Sequence, residues 1–86
     1  MNIDELIAIV KEKLEAQIEI ENLKIEDKSF LHKKHKNNQV GKFHLKISIE
    51  SKKLKSMNKI DSNKKIYSIL DEEIKNFIHS IQILIS

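Results

Sequence analysis

Phe43-His44-Leu45-Lys46-Ile47-Ser48-Ile49-Glu50 decides the fold: Phe43, Leu45, Ile47 and Ile49 take one side of an extended chain, and His44, Lys46, Ser48 and Glu50 take the other. Side chains alternate along a strand with a period of two, so residues 42–50 are expected to lay one face on a core. Upstream, Leu23 and Ile25 alternate with Lys24 and Glu26, which predicts a similar strand over 22–27. Between them, Lys28 to Gly41 holds His32, Lys33, Lys34, His35, Lys36, Asn37, Asn38 and Gln39. That stretch is too polar and unpatterned to pack and reads as a long exposed loop, of the kind that is usually functional or mobile.

Further out, the period changes. Ile3, Leu6, Ile7, Val10 and Leu14 follow the spacing of one helix face, and Asn2 with Glu5 resembles a capping box, so a helix is expected over 2–17. After a short turn or helix around 51–55, Ile60, Ile66, Tyr67, Ile69, Leu70, Ile74 and Phe77 predict one long helix from about 57 to 76, with Ser56 as its N-cap. In Phe77-Ile78-His79-Ser80-Ile81-Gln82-Ile83-Leu84-Ile85 the odd positions are expected to face inward, with His79 at the entrance of that face. The order helix, strand, strand, helical turn, helix, strand defines an α+β fold, an αββααβ sandwich whose three-stranded sheet carries its helices on one face.

Composition narrows the function classes. A chain of 86 residues is expected to form a single domain over 1–86, since a chain of that size buries about 60–65 % of its unfolded surface, enough for one modest core. No apolar run approaches the roughly 20 residues that span a bilayer. Met1-Asn2-Ile3-Asp4-Glu5 has acids where a signal peptide would carry positive charge, so a cytoplasmic protein is expected. The absence of cysteine excludes disulfides, thiol redox chemistry and thiol nucleophiles, and leaves histidine and carboxylate as the only metal ligands. All 16 basic residues are lysine and the net charge is +3, a poor basis for reading bases, where the commonest specific contact is an arginine fork on guanine. Asp71, Glu72 and Glu73 are consecutive on a helix and splay apart, and no serine lies in an elbow motif with a histidine base, so no enzyme is expected.

The histidines are the remaining chemistry. Neutral imidazole is widely recruited to bind metals near neutral pH; its competing role on a strand is to pack and bond a backbone carbonyl. Both readings apply to His79. His44, on the polar face beside Lys46, is expected to be solvated or paired across strands. Lys52, Lys53, Lys55, Lys59, Lys64 and Lys65 cluster before and within the long helix. Such runs usually solvate a face, but they could also steer an acidic partner or contact phosphates. Phe30, Phe43, Tyr67 and Phe77 are expected at the core or its edge, leaving no aromatic platform for single-stranded nucleic acid.

Four strings in order now resemble the BolA family across nearly the whole chain: Asp27-x-Ser29-x-x-His32, Phe43-His44-Leu45-Lys46-Ile47, Ile66-Tyr67-Ser68-Ile69-Leu70 with Glu72 and Glu73, and Ile78-His79-Ser80-Ile81. The resemblance implies a fold like a type II KH domain and a role in iron–sulfur cluster handling beside a monothiol glutaredoxin. In that picture a two-iron two-sulfur (2Fe-2S) cluster bridges the two proteins, with thiolates from glutaredoxin and glutathione and histidine from the BolA partner, which holds no cluster alone. Histidines can replace thiolates on one iron, as in Rieske centres. His79 corresponds to the family's C-terminal histidine and His32 to its loop ligand, with His35 a second candidate for the loop position. The alternative implied by the family is a DNA-binding transcriptional regulator using the basic long helix. Where relatives often carry Arg-His-Arg, this chain reads Ser62-Asn63-Lys64-Lys65, which argues against sequence-specific DNA recognition. A KH-type RNA clamp needs a Gly-x-x-Gly loop, and Gly41 is the chain's one glycine.

Overall fold

The computed structural model describes residues 1–29 and 42–86. Helix α1 spans Ile3–Gln17, and Asn2 starts it as the spacing to Glu5 predicts. The Asn2 side chain accepts from the Glu5 backbone N–H at 2.8 Å and donates to the Glu5 carboxylate at 3.0 Å. Leu6, Val10 and Leu14 are fully buried, one stripe of the helix. The helix stops at Ile18, which is already extended.

Strands β1 (Asn22–Asp27) and β2 (Phe43–Glu50) pair antiparallel, with Leu23 opposite Ile49 and Ile25 opposite Ile47. Strand β3 (Ile78–Ile85) lies parallel to β2 on its other side, with Leu45 beside Ile81, Ile47 beside Ile83 and Ile49 beside Ile85. The sheet order is therefore β1-β2-β3, and the strand with the clearest alternation is the central one. Leu45, Ile47 and Ile49 join Leu6, Val10, Leu14, Leu54, Ile66 and Leu70 in one core between the sheet and the helices. Each fully buried aliphatic side chain contributes about 1.5–3 kcal/mol of transfer free energy.

The crossover from β2 to β3 departs from the sequence expectation in three places. Helix α2 (Lys52–Lys55) is capped by Ser51. Ser56 ends it instead of starting the next helix: its hydroxyl donates to the Lys53 carbonyl at 2.7 Å, so it is spent on α2. The N-cap of the following helix is Asn58, which accepts from the Asp61 N–H at 2.8 Å. The expected long helix is two, α3 (Lys59–Ile69) and α4 (Asp71–Asn76), meeting at Leu70 with φ −100° and ψ 14°. Leu70 is fully buried at this joint, and Glu73 beyond it reaches Lys13 on α1 at 2.6 Å. Asp71, Glu72 and Glu73 occupy the first turn of α4, where the unsatisfied N–H groups favour negative charge. The Glu73 hydrogen bond raises the Lys13 ammonium above its ordinary 10.5 despite opposing desolvation, and Glu72 at 3.7 Å adds to it.

Third, Ile60 and Tyr67 do not join the buried stripe; they are 69 % and 43 % exposed. Ser62 and Ile66, one turn apart, carry the buried face of α3. The Ser62 hydroxyl donates to the Lys59 carbonyl at 3.1 Å, so its burial leaves no hydroxyl proton unpaired.

Candidate functional site

Strands β2 and β3 begin side by side, and their ladder slips at its first step. Phe43 pairs with Ile78, but His44 pairs with Ser80, leaving His79 as the extra residue of a β-bulge. A bulge bends its strand and re-aims a side chain. Here Ile78 turns inward at 3 % exposure, and His79 is exposed. The unbroken odd-position alternation expected from the sequence therefore holds for Ile81, Ile83 and Ile85 and fails at His79, which faces solvent instead of entering the apolar face.

His44 lies beside it. The two rings have centroids 5.0 Å apart and planes tilted by 59°. His44 is not solvated: it is 5 % exposed, and its Nδ1 lies 2.6 Å from the Ser80 hydroxyl on the neighbouring strand. This is the cross-strand pairing of the two alternatives, made by adjacent parallel strands. The His44 backbone is held as well, its N–H donating to the Ser29 hydroxyl at 3.1 Å and its carbonyl accepting from the Lys28 N–H at 2.7 Å. Ser29 in turn donates its N–H to the Asp27 carboxylate at 2.9 Å, a local turn that Asp favours. The Asp27-x-Ser29 string thus ties the end of β1 to the start of β2 next to both histidines.

A shallow groove crosses this end of the sheet, lined by Lys28, His44, Lys46, Ser80 and Gln82. Glu26 lies 3.4 Å from Lys28 and 3.8 Å from Lys24. Burial acts to raise the Glu26 carboxyl, but Lys24, Lys28 and Lys46 outweigh it and hold the group below its ordinary 4.5. His32 and His35 lie outside the described residues, as does Phe30. Among the described residues no three His, Asp or Glu side chains converge on one metal position. The nearness of His44 to His79 is what sequence reasoning missed. The available signal was that Phe43-His44 and Ile78-His79 each open a strand, so parallel pairing of the two brings the histidines together.

The lysines sit elsewhere. Lys52, Lys53 and Lys55 follow the far end of β2, and from His44 to Ser51 the strand runs about 23 Å at about 3.3 Å per residue. Lys59 and Lys64 on α3 are exposed and Lys65 is half-buried. At about 100° per residue these three spread around the helix and form no single stripe. Lys55 and Lys59 edge a second groove with Leu54, Met57, Ile83 and Ile85. Among the described residues no helix is long and apolar enough to cross a membrane.

A small α+β domain with a mixed three-stranded sheet, and a bulged histidine where two parallel strands begin, is the class of protein this architecture defines. The chain belongs to the BolA family: residues 14–86 match the family described as BolA-like protein. It is 30 % identical over 73 residues to a Haemophilus influenzae protein named DNA-binding transcriptional regulator BolA, covering 85 % of this chain and 68 % of that one. It is 31 % identical over 78 residues to the chloroplastic protein BOLA1 of Arabidopsis thaliana, covering 87 % of this chain but only 49 % of the plant protein, about half its length. Among solved structures, BolA1 from Arabidopsis thaliana superposes with a TM-score of 0.78 at 29 % identity, covering 92 % of this chain and 87 % of the other.

Proposed function

We propose that this chain is an iron–sulfur cluster adaptor that pairs with a monothiol glutaredoxin and gives imidazole ligation to a shared 2Fe-2S cluster, whose thiolates come from glutaredoxin and glutathione. The observation that carries the reading is His79, exposed at a bulge and backed by the buried ring of His44. An imidazole aimed outward from a rigid sheet suits a metal held jointly with another protein. A chain without cysteine lacks the four thiolates an isolated cluster usually needs. His32 is a second ligand candidate and His35 its alternative, both outside the described residues. The role in this reading is that of a carrier and not of an enzyme.

The test is anaerobic reconstitution of this chain with a monothiol glutaredoxin, glutathione, iron and sulfide, read by visible absorption and circular dichroism. Wild type is expected to give a spectrum distinct from that of the glutaredoxin homodimer. His79→Ala is expected to abolish it with far-ultraviolet circular dichroism unchanged, since the side chain is exposed. A mixed-cluster spectrum that survives in His79→Ala would falsify the ligand assignment, and a wild type that only reproduces the homodimer spectrum would end the adaptor reading.

The name of the Haemophilus relative favours a second reading, a DNA-binding regulator using Lys52, Lys53, Lys55, Lys59, Lys64 and Lys65. If all six lysines contact phosphates, affinity for duplex DNA is expected to fall about 10³-fold between about 50 and 200 mM salt. Anisotropy titrations at the two concentrations measure this. Absence of binding at the lower salt removes the reading.

A further inference from the structure

We propose that the outer edge of β3 takes up an extended acidic peptide as a fourth strand of the sheet, with an apolar side chain of the peptide in the groove beside Ile83 and its carboxylates on Lys55 and Lys59. The proposal involves no histidine and no metal, so it stands apart from the adaptor reading.

Three observations support the surface. The first is an open ladder. Strand β3 is an edge of the sheet. Ser86, just past its end, donates its N–H to the Ile49 carbonyl at 2.8 Å and accepts from the Ser51 N–H at 3.1 Å, so its polar groups face β2. Backbone groups of successive strand residues point to opposite sides. Those of Ile81, Ile83 and Ile85 therefore point away from β2, where a further strand would meet them. Natural edges are commonly blunted by charge or proline. The other edge strand, β1, carries Lys24, Glu26 and Asp27, whereas Phe77 to Ser86 contains no lysine, no acidic side chain and no proline.

The second is the groove. It touches Ile83, Leu84 and Ile85, which alternate between the two faces of the sheet, and no residue of β2, so it runs along the outer edge of β3. Its volume of about 360 Å³ is at the low end of the roughly 300–1,000 Å³ of ligand clefts. In a strand paired with β3, the side chain opposite Ile83 takes the same face and enters the groove beside half-buried Met57. The third is charge. Lys55 and Lys59 at the rim are exposed, and the lining holds no carboxylate. Among the described residues neither lysine forms an ion pair.

Strand addition of this kind draws affinity from main-chain hydrogen bonds and selectivity from the pockets and charges beside them. Charge decides the occupant. Antiparallel pairing of Ile81, Ile83 and Ile85 with a second copy of this chain would put a twofold axis at Ile83 and gather Lys55 and Lys59 of both copies around it, like charge against like. Nucleic acid has no amide ladder with which to continue the sheet.

The experiment follows the anisotropy of the peptide fluorescein-Glu-Glu-Val-Thr-Val-Thr-Val-Glu-Glu-amide as the full chain is added, with the same peptide carrying lysine for glutamate as its control. Saturable binding is expected, weaker by about 10-fold or more for the lysine peptide and for the Lys55→Glu, Lys59→Glu double variant. Ile83→Pro removes an outward N–H and no bond to β2, and is expected to abolish binding. In the ¹⁵N-labelled chain the peptide is expected to protect the Ile81, Ile83 and Ile85 amides from hydrogen exchange and to leave those of Gln82 and Leu84, already bonded to β2, little changed. If Ile83→Pro disturbs the fold, this alternating pattern decides in its place. Absent binding, or equal affinity for the two peptides, overturns the proposal. So does binding without protection of the three amides, which would be attraction to lysine alone. A chain that sediments as a dimer and is dispersed by Ile83→Pro gives the edge to a second copy and overturns the proposal as well.

Discussion

Replacing Ile47 with alanine is expected to destabilise the chain by about 2–5 kcal/mol, the range for truncating a buried isoleucine and leaving the cavity partly open. Ile47 is fully buried at the middle of the central strand, between Ile25 on β1 and Ile83 on β3. Flanked on both sides, it sits where the surroundings have least room to collapse. A domain of this size has a net stability of about 4–13 kcal/mol, so the loss removes a large share of it. Urea unfolding measures the effect as a lower midpoint at an unchanged m-value. A loss below about 1 kcal/mol would show that the sheet closes over the gap and that this strand is not the packing centre.

Ser51→Ala is expected to cost about 2 kcal/mol, by a different route. The Ser51 hydroxyl is fully buried, donates to the Glu19 carbonyl at 2.7 Å and accepts from the Leu54 N–H at 3.2 Å. It therefore caps α2 and fastens it to the turn between α1 and β1. Alanine removes the cap and strands a carbonyl, each worth about 1 kcal/mol or more. For a domain of this length the expected fall in melting temperature is about 8–16 °C. Ser51→Thr, which keeps the hydroxyl, should recover part of it; equal losses in the two variants would point to steric crowding and not to the lost hydrogen bonds.

How far the sequence was legible follows the range of the forces involved. Asn2 and Glu5, the stripe from Leu6 to Leu14, and the alternation from Leu45 to Ile49 are settled by neighbours within a few residues, and all three are found as read. The family strings were also local, and the match over residues 14–86 agrees with them. The joint at Leu70 was not legible, because no glycine or proline marks it; a lysine 60 residues upstream on α1 is what Glu73 meets there. Ser56 and Asn58 are both good N-caps by type, and only the prior engagement of Ser56 with Lys53 separates them. The bulge at His79 escaped for the same reason, since Ile-His-Ser-Ile is compatible with either register until β2 is beside it. His44 gained its significance only through that register.

The bulge has a consequence for how this chain can vary by descent. The outward direction of His79 is stored in the number of residues between Phe77 and Ser80, not in their identities. Exchange of Ile81 or Ile83 for another aliphatic keeps the direction, whereas loss of one residue ahead of Ser80 would carry the imidazole round to the side of Phe43 and hide it against the helices. Substitution and length therefore fall under separate constraints at this point: the lineage is free to respell the strand but not to recount it.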